Sequence, residues 1–281
     1  MTGMTPFDQD AYFNRIGYTG PHTATLDTLR AIHLCHTQTI AFENLDPLLE
    51  QPVRLDLESL QQKLIVDARG GYCFEHNTLL QHTLEALGFR VKGLAARVLW
   101  DSPPTTPPHT HMLLAIDLDD GLYIADVGFG GMTLTAPLRL QSGCEQKTPH
   151  ETFRLQATAH GGYLLQVRLP DGWRTLYQFD LQPQYPADYA MYNFYVSHYP
   201  ESRFVNHLIA ARSSMGRRYA LLDNALTMYP LGGERETRHI DSVFELRMIL
   251  EDTFGLRLPD ASILDSRLKG ILKRSGQGSE G

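Results

Sequence analysis

The chain has 281 residues, 42% of them hydrophobic and 20% charged, with a formal net charge of −7. That length can bury a sizeable core, and the acidic balance argues against a general nucleic-acid surface. No apolar run reaches the roughly 18 residues that a bilayer span needs. The opening MTGMTPFDQD has no basic and then apolar leader pattern. Cys35, Cys73 and Cys144 form no close pair, so neither a disulfide framework nor a CxxC zinc site is suggested, which suits a reducing, cytoplasmic setting.

Residues 1–90 read as mainly helical. Leu26, Leu29, Ile32, His33 and His36 recur at helical spacing between Thr25 and Ile40, and Leu57, Leu60, Leu64 and Ile65 repeat the pattern. Then comes RGGYCFEHN at 69–77. Gly70 and Gly71 predict a sharp turn through angles other residues avoid, presenting Cys73 at the first turn of a helix. Leu79, Leu80, Leu84 and Leu87 continue that helix, and Gly88 caps it. Free N–H groups and the positive dipole end favour an anionic sulfur there and would hold an oxyanion. The competing reading of Cys73 is a small buried hydrophobe.

From 91 to 190 short apolar runs between Gly, Pro and Asp turns predict strands: KGLAARVLW, HMLLAIDL, LYIADVGF, YLLQVRL and WRTLYQF. The proline-rich DSPPTTPPH at 101–109 has no place in a central strand and reads as a stiff loop delivering His111. His111 and Asp126 flank the turn-like Asp119, Asp120 and Gly121, which predicts a hairpin. An even loop places His111 and Asp126 on one face, whereas an odd loop separates them. On one face, Asp126 would orient His111, and His111 would serve Cys73 as base. Residues 191–281 mix both types of structure. Ser242 with Glu245 predicts a capping box for a helix carrying Val243, Leu246, Ile249, Leu250 and Phe254, and the tail SGQGSEG predicts disorder.

RGGYCFEHN, with YFNRIGY at 12–18, AFENL at 41–45 and ADVGFGG at 125–131, resembles the arylamine N-acetyltransferase family of bacterial type over nearly the whole chain. The resemblance implies a Cys73, His111 and Asp126 triad and an α+β fold. That fold would comprise an N-terminal helical bundle at 1–90 carrying the nucleophile, a central antiparallel β-barrel at 91–190 carrying His and Asp, and a C-terminal α/β lid at 191–281, around a cysteine-protease-like triad core. It also implies acetyl-coenzyme A as donor, with no metal, and aromatic amines or hydrazines as acceptors, with arylhydroxylamine O-acetylation as a related activity. Neither a nucleic-acid nor a membrane partner is expected. Phe42, Phe129 and Phe204 would stack on the acceptor ring, and Gly128, Gly130 and Gly131 would let coenzyme A approach the backbone. Arg69, Glu43 and Arg15 also match family positions and suggest a buried ionic group at the cysteine turn. Pro107 and Pro108 stand where human-type members carry a Thr-Gly pair. Two other readings stay open: a transglutaminase- or peptidase-like cysteine acyltransferase or hydrolase, and an aromatic-ligand binding module with an inert thiol.

Overall fold

A computed structural model describes residues 7–101 and 103–277. Its first part is helical. α1 (Gln9–Ile16) begins at Asp8, whose carboxylate accepts the Ala11 N–H at 2.9 Å, and closes at Gly17 with φ +69°. α2 (Leu26–Thr39) begins at Thr25 in the same way and buries Leu29, Ile32, His33 and His36. A two-residue strand, β1 (Phe42–Glu43), precedes α3 (Leu45–Leu48) and α4 (Leu57–Leu60). The leucine spacing at 57–65 predicts a regular helix, but α4 widens into a π-helical turn over Gln61–Val66, which buries Leu64 and Ile65 together. α5 (Cys73–Ala86) ends as its glycine predicts. Gly88 takes φ +87°, and the Phe89 N–H reaches back to the Leu84 carbonyl at 3.0 Å.

Eight strands follow: β2 (Arg90–Val98), β3 (His111–Leu118), β4 (Gly121–Ala125), β5 (Leu138–Arg139), β6 (Glu145–Lys147), β7 (Thr152–Ala157), β8 (Tyr163–Leu169) and β9 (Gly172–Phe179). They form one antiparallel sheet in the order β5-β4-β3-β2-β9-β8-β7-β6, curled into a nearly closed barrel. Alternation explains the packing: β7 turns Phe153 and Leu155 inward, and β8 turns Leu165 and Val167. The strand expected over LYIADVGF stops at Ala125, so Asp126–Gly131 is free to turn.

α6 (Pro186–His198) and α7 (Arg203–Asn206) lead into β10 (Ile209–Ser214), β11 (Arg217–Leu222), β12 (Ala225–Pro230) and β13 (Glu236–His239). These strands form a second antiparallel sheet whose first strand is β1, in the order β1-β10-β11-β12-β13. α8 (Val243–Met248) follows, widening into a π-helical turn over Ile249–Thr253, and α9 (Ala261–Gln277) comes last. Only half of the expected capping box forms. Ser242 accepts the Glu245 N–H at 3.2 Å, but the Glu245 carboxylate pairs with Arg238 instead of turning back. The tail expected to be disordered starts as the end of α9, through Gln277, and residues 278–281 lie outside the described residues. The result is an α+β fold of helices, a central barrel and an α/β lid. Among the described residues no helix is long and apolar enough to cross a membrane.

Candidate active site

Cys73 is the first residue of α5 and is buried, yet it lines a cavity of about 760 Å³ together with His111, Phe42, Phe129 and Phe204. The two glycines before it work by close approach, because neither has the positive φ that the sequence suggested. A Cβ on Gly70 would lie 2.0 Å from the Ala41 carbonyl oxygen, and one on Gly71 would lie 2.6 Å from Glu75 Oε2. The chain can therefore press against the segment before β1 while Glu75 accepts the Tyr72 N–H at 3.0 Å. Lys63 holds the other oxygen of Glu75 at 2.6 Å and Asp46 at 2.5 Å, and Arg69 joins Glu43 and Asp46 at 2.8 and 2.9 Å. Arg15 stands outside this group: its Nε donates to the Leu64 carbonyl at 3.0 Å, since no carboxylate of the cluster is its partner in that bond.

The hairpin of β3 and β4 has the two-residue loop Asp119-Asp120, with Leu118 paired to Gly121 and Leu114 to Ala125. This even register puts His111 and Asp126 on one face, and His111 Nε2 donates to Asp126 Oδ2 at 2.7 Å. Nδ1 is left free of Asp126, and Cys73 is among the groups that favour the charged ring. The Cys73 Sγ lies 3.6 Å from the Thr110 carbonyl, so the loop after the prolines borders the thiol as well. Burial would strip His111 of its proton, but the Asp126 charge and the bonds to Asp126 and Cys73 outweigh burial and push its pKa up to about 10. Burial likewise works against the Asp126 anion, yet His111, the Gly128 N–H and Asn77 hold its pKa below the ordinary value.

Several residues that hold Asp126 went unnoticed in the sequence. Asn77, one turn after Cys73, donates to Asp126 Oδ1 at 3.0 Å and to the Met112 carbonyl at 2.8 Å, and accepts the Val127 N–H. The Tyr177 hydroxyl donates to Asp126 Oδ2 at 2.9 Å; burial and the neighbouring carboxylate push its pKa well up, so it stays a neutral donor. His33 Nε2 accepts the Asp126 N–H at 3.3 Å, and burial lowers its pKa to about 4. Thr133 donates to the Asp126 carbonyl at 2.9 Å. Asn77 sat inside the cysteine motif and Tyr177 at an inward position of a predicted strand, but their convergence is tertiary and leaves no local signal.

Among the expected pocket residues, Phe42 and Phe204 face each other with centroids 6.0 Å apart, and Phe129 meets the His111 ring edge-on at 5.2 Å. Gly128, Gly130 and Gly131 line the same cavity for unequal reasons. A Cβ on Gly128 would come within 2.7 Å of Cys73 Cα, Gly130 needs φ +87°, and a Cβ on Gly131 would make only ordinary contact, 3.9 Å from the Ala220 Cβ. Among the described residues no group of three or more His, Cys, Asp or Glu side chains could hold a metal ion.

An N-acetyltransferase family model matches residues 25–263. The arylamine N-acetyltransferase of Escherichia coli (strain K12) is 43% identical over 259 residues, covering 92% of each chain. The arylamine N-acetyltransferase / N-hydroxyarylamine O-acetyltransferase of Salmonella typhimurium is 42% identical over 92% of this chain and 91% of its own. The solved structure of Mycobacterium marinum arylamine N-acetyltransferase in complex with CoA superposes with a TM-score of 0.91 at 39% identity, covering 94% of this chain and 99% of that one. Sequence and fold agree along nearly the full length, and the chain belongs to the arylamine N-acetyltransferase family.

Proposed function

We propose that this chain acetylates arylamines and hydrazines, and O-acetylates arylhydroxylamines, with acetyl-coenzyme A as donor and Cys73, His111 and Asp126 as the catalytic residues. The 2.7 Å His111–Asp126 bond beside a cysteine at a helix N-terminus carries the reading. The Cys73 thiolate attacks the thioester carbonyl carbon, and the oxyanion meets the Cys73 N–H, which lies outside the helical hydrogen-bond ladder. The carbon–sulfur bond to coenzyme A breaks, and the imidazolium of His111 protonates the leaving thiolate. An amine then enters the vacated cavity between Phe42, Phe129 and Phe204 and attacks the acetyl-cysteine. His111 takes the amine proton, and the Cys73 thiolate leaves. The glycine turn at 128–131 supports an approach of coenzyme A along this wall. The chain's division at about 90 and 190 is also proposed; the barrel's own apolar cluster, whose buried members all lie within 94–179, supports it, while the other two clusters cross those limits. A cytoplasmic location is supported by the free Cys35, Cys73 and Cys144.

Intact mass after brief mixing with acetyl-coenzyme A tests the reading. One acetyl group mapped to Cys73, lost when arylamine is added, is the expected result. Absence of any adduct on a thiol that still alkylates readily would overturn acetyl transfer.

A further inference from the structure

The turn that carries Asp126 and Phe129 is closed by one hydroxyl. Thr133 Oγ1 donates to the Asp126 carbonyl at 2.9 Å and accepts the Phe129 N–H at 3.2 Å, so it ties both ends of the turn to one atom. The Thr133 side chain is buried, and its own carbonyl accepts Arg218 Nη2 at 2.9 Å. Arg218 belongs to β11 in the lid sheet and is 1% exposed. All three of its nitrogens are engaged: Nε and Nη2 clasp the Glu151 carboxylate at 2.5 to 3.0 Å, and Nη1 donates to Ser213 Oγ at 2.6 Å. Glu151 sits just before β7 of the barrel. A planar guanidinium clasps a carboxylate with a rigid fork while its other donors reach two further segments, a geometry that the compact ammonium of lysine does not reproduce. A second bond crosses the same seam, from His150 Nε2 to the Ser214 carbonyl at 2.8 Å.

We infer that Arg218 and Thr133 are positioning residues for the acetyl transfer, fixing through the lid sheet the turn that presents Asp126 to His111 and Phe129 to the acceptor. Ala220, two residues along β11 and so on the same face as Arg218, lines the cavity opposite Gly131. One strand therefore carries both the clamp and a wall of the site. The inference rests on the function proposed above.

Thr133→Val keeps the shape and removes the hydroxyl, Thr133→Ser restores it, and Arg218→Lys keeps the charge without the fork. Each is compared with wild type for the alkylation rate of Cys73 against pH, read by peptide mapping, for single-turnover acetylation, and for arylamine KM, all well below the melting temperature. Thr133→Val is expected to slow acetylation about tenfold or more, to displace the alkylation profile and to raise arylamine KM. Thr133→Ser should restore most of this, and Arg218→Lys should fall between. A Thr133→Val protein that melts lower but keeps the wild-type profile and acetylation rate overturns the inference, leaving the clamp merely structural. Failure of wild type to take up acetyl would instead count against the proposed function, and the alkylation comparison would still stand.

Discussion

The carboxylate of Asp126 accepts four hydrogen bonds, and the four are not equivalent. Asn77 and the Gly128 N–H take one oxygen, while His111 and Tyr177 share the other. Tyr177 therefore competes with His111 for the same charge. Asp126→Asn removes the charge that keeps His111 protonated, so the upper limb of the Cys73 alkylation profile should move to lower pH and turnover should fall by about 100-fold or more. Tyr177→Phe should move that limb the opposite way, because the freed oxygen is more basic toward His111. It should also cost roughly 1.5 to 3 kcal/mol of stability for a lost bond to a charged group. Shifts of the same sign in the two variants would refute the competition. Stability has its own pH dependence. His111 is raised from 6.5 to about 10, so its contribution is complete below pH 6.5 and is lost as pH rises toward 10. Asp126 is depressed below 3.8, so its contribution is complete above pH 3.8 and is lost as pH falls through the folded value. The melting difference between wild type and Asp126→Asn should be largest between those limits. A difference that kept growing from neutral pH to pH 9 would contradict this linkage.

At the scale of elements, the start of α5 is held from behind by buried charge. Lys63 is exposed by only 15% and Glu75 by 2%, and the carboxylates around Lys63 raise its pKa despite burial. Lys63→Met strands Glu75 without a cation, with an expected cost of about 3 to 5 kcal/mol. Adding Glu75→Gln should recover much of that loss, because the amide oxygen can still accept the Tyr72 N–H. Urea unfolding decides the matter, and a double variant no more stable than the single one would rule out the ion pair as the cause. The sequence revealed this element well, since the glycines, the cysteine and the leucine spacing are all local. The β3–β4 hairpin was legible for the same reason, through Asp119-Asp120-Gly121. β1 was not, because two residues give no periodicity and its strand partner, β10, lies far along the chain. β5, β6 and α9 were equally silent: short strands lack a pattern, and among the described residues α9 packs three fully buried ones, Leu264, Leu268 and Ile271.

At the scale of the whole molecule, the lid is fastened to the first part of the chain as well as to the barrel. One apolar cluster joins Ala41, Leu45 and Leu48 with Leu250, Phe254, Leu264 and Leu268. Leu268→Ala should cost about 2 to 5 kcal/mol. It should also loosen the segment that holds Phe42, raising arylamine KM more than it slows Cys73 acetylation. Stopped-flow acetylation and steady-state KM measured together test this, and equal changes in both would argue against the coupling. The meeting of Cys73, His111 and Asp126 was readable because three side chains carry it, while the cavity was only partly readable because its walls come from distant stretches at 42, 73, 98–111, 128–132 and 195–229. β1 has a consequence for biosynthesis. Phe42 leaves the ribosome early, but its strand partner Ala211 is translated in the last third of the chain. A nascent chain would thus hold Cys73 and His111 well before β10 exists to fix the strand that carries Phe42, so the cavity wall at Phe42 is completed late in translation.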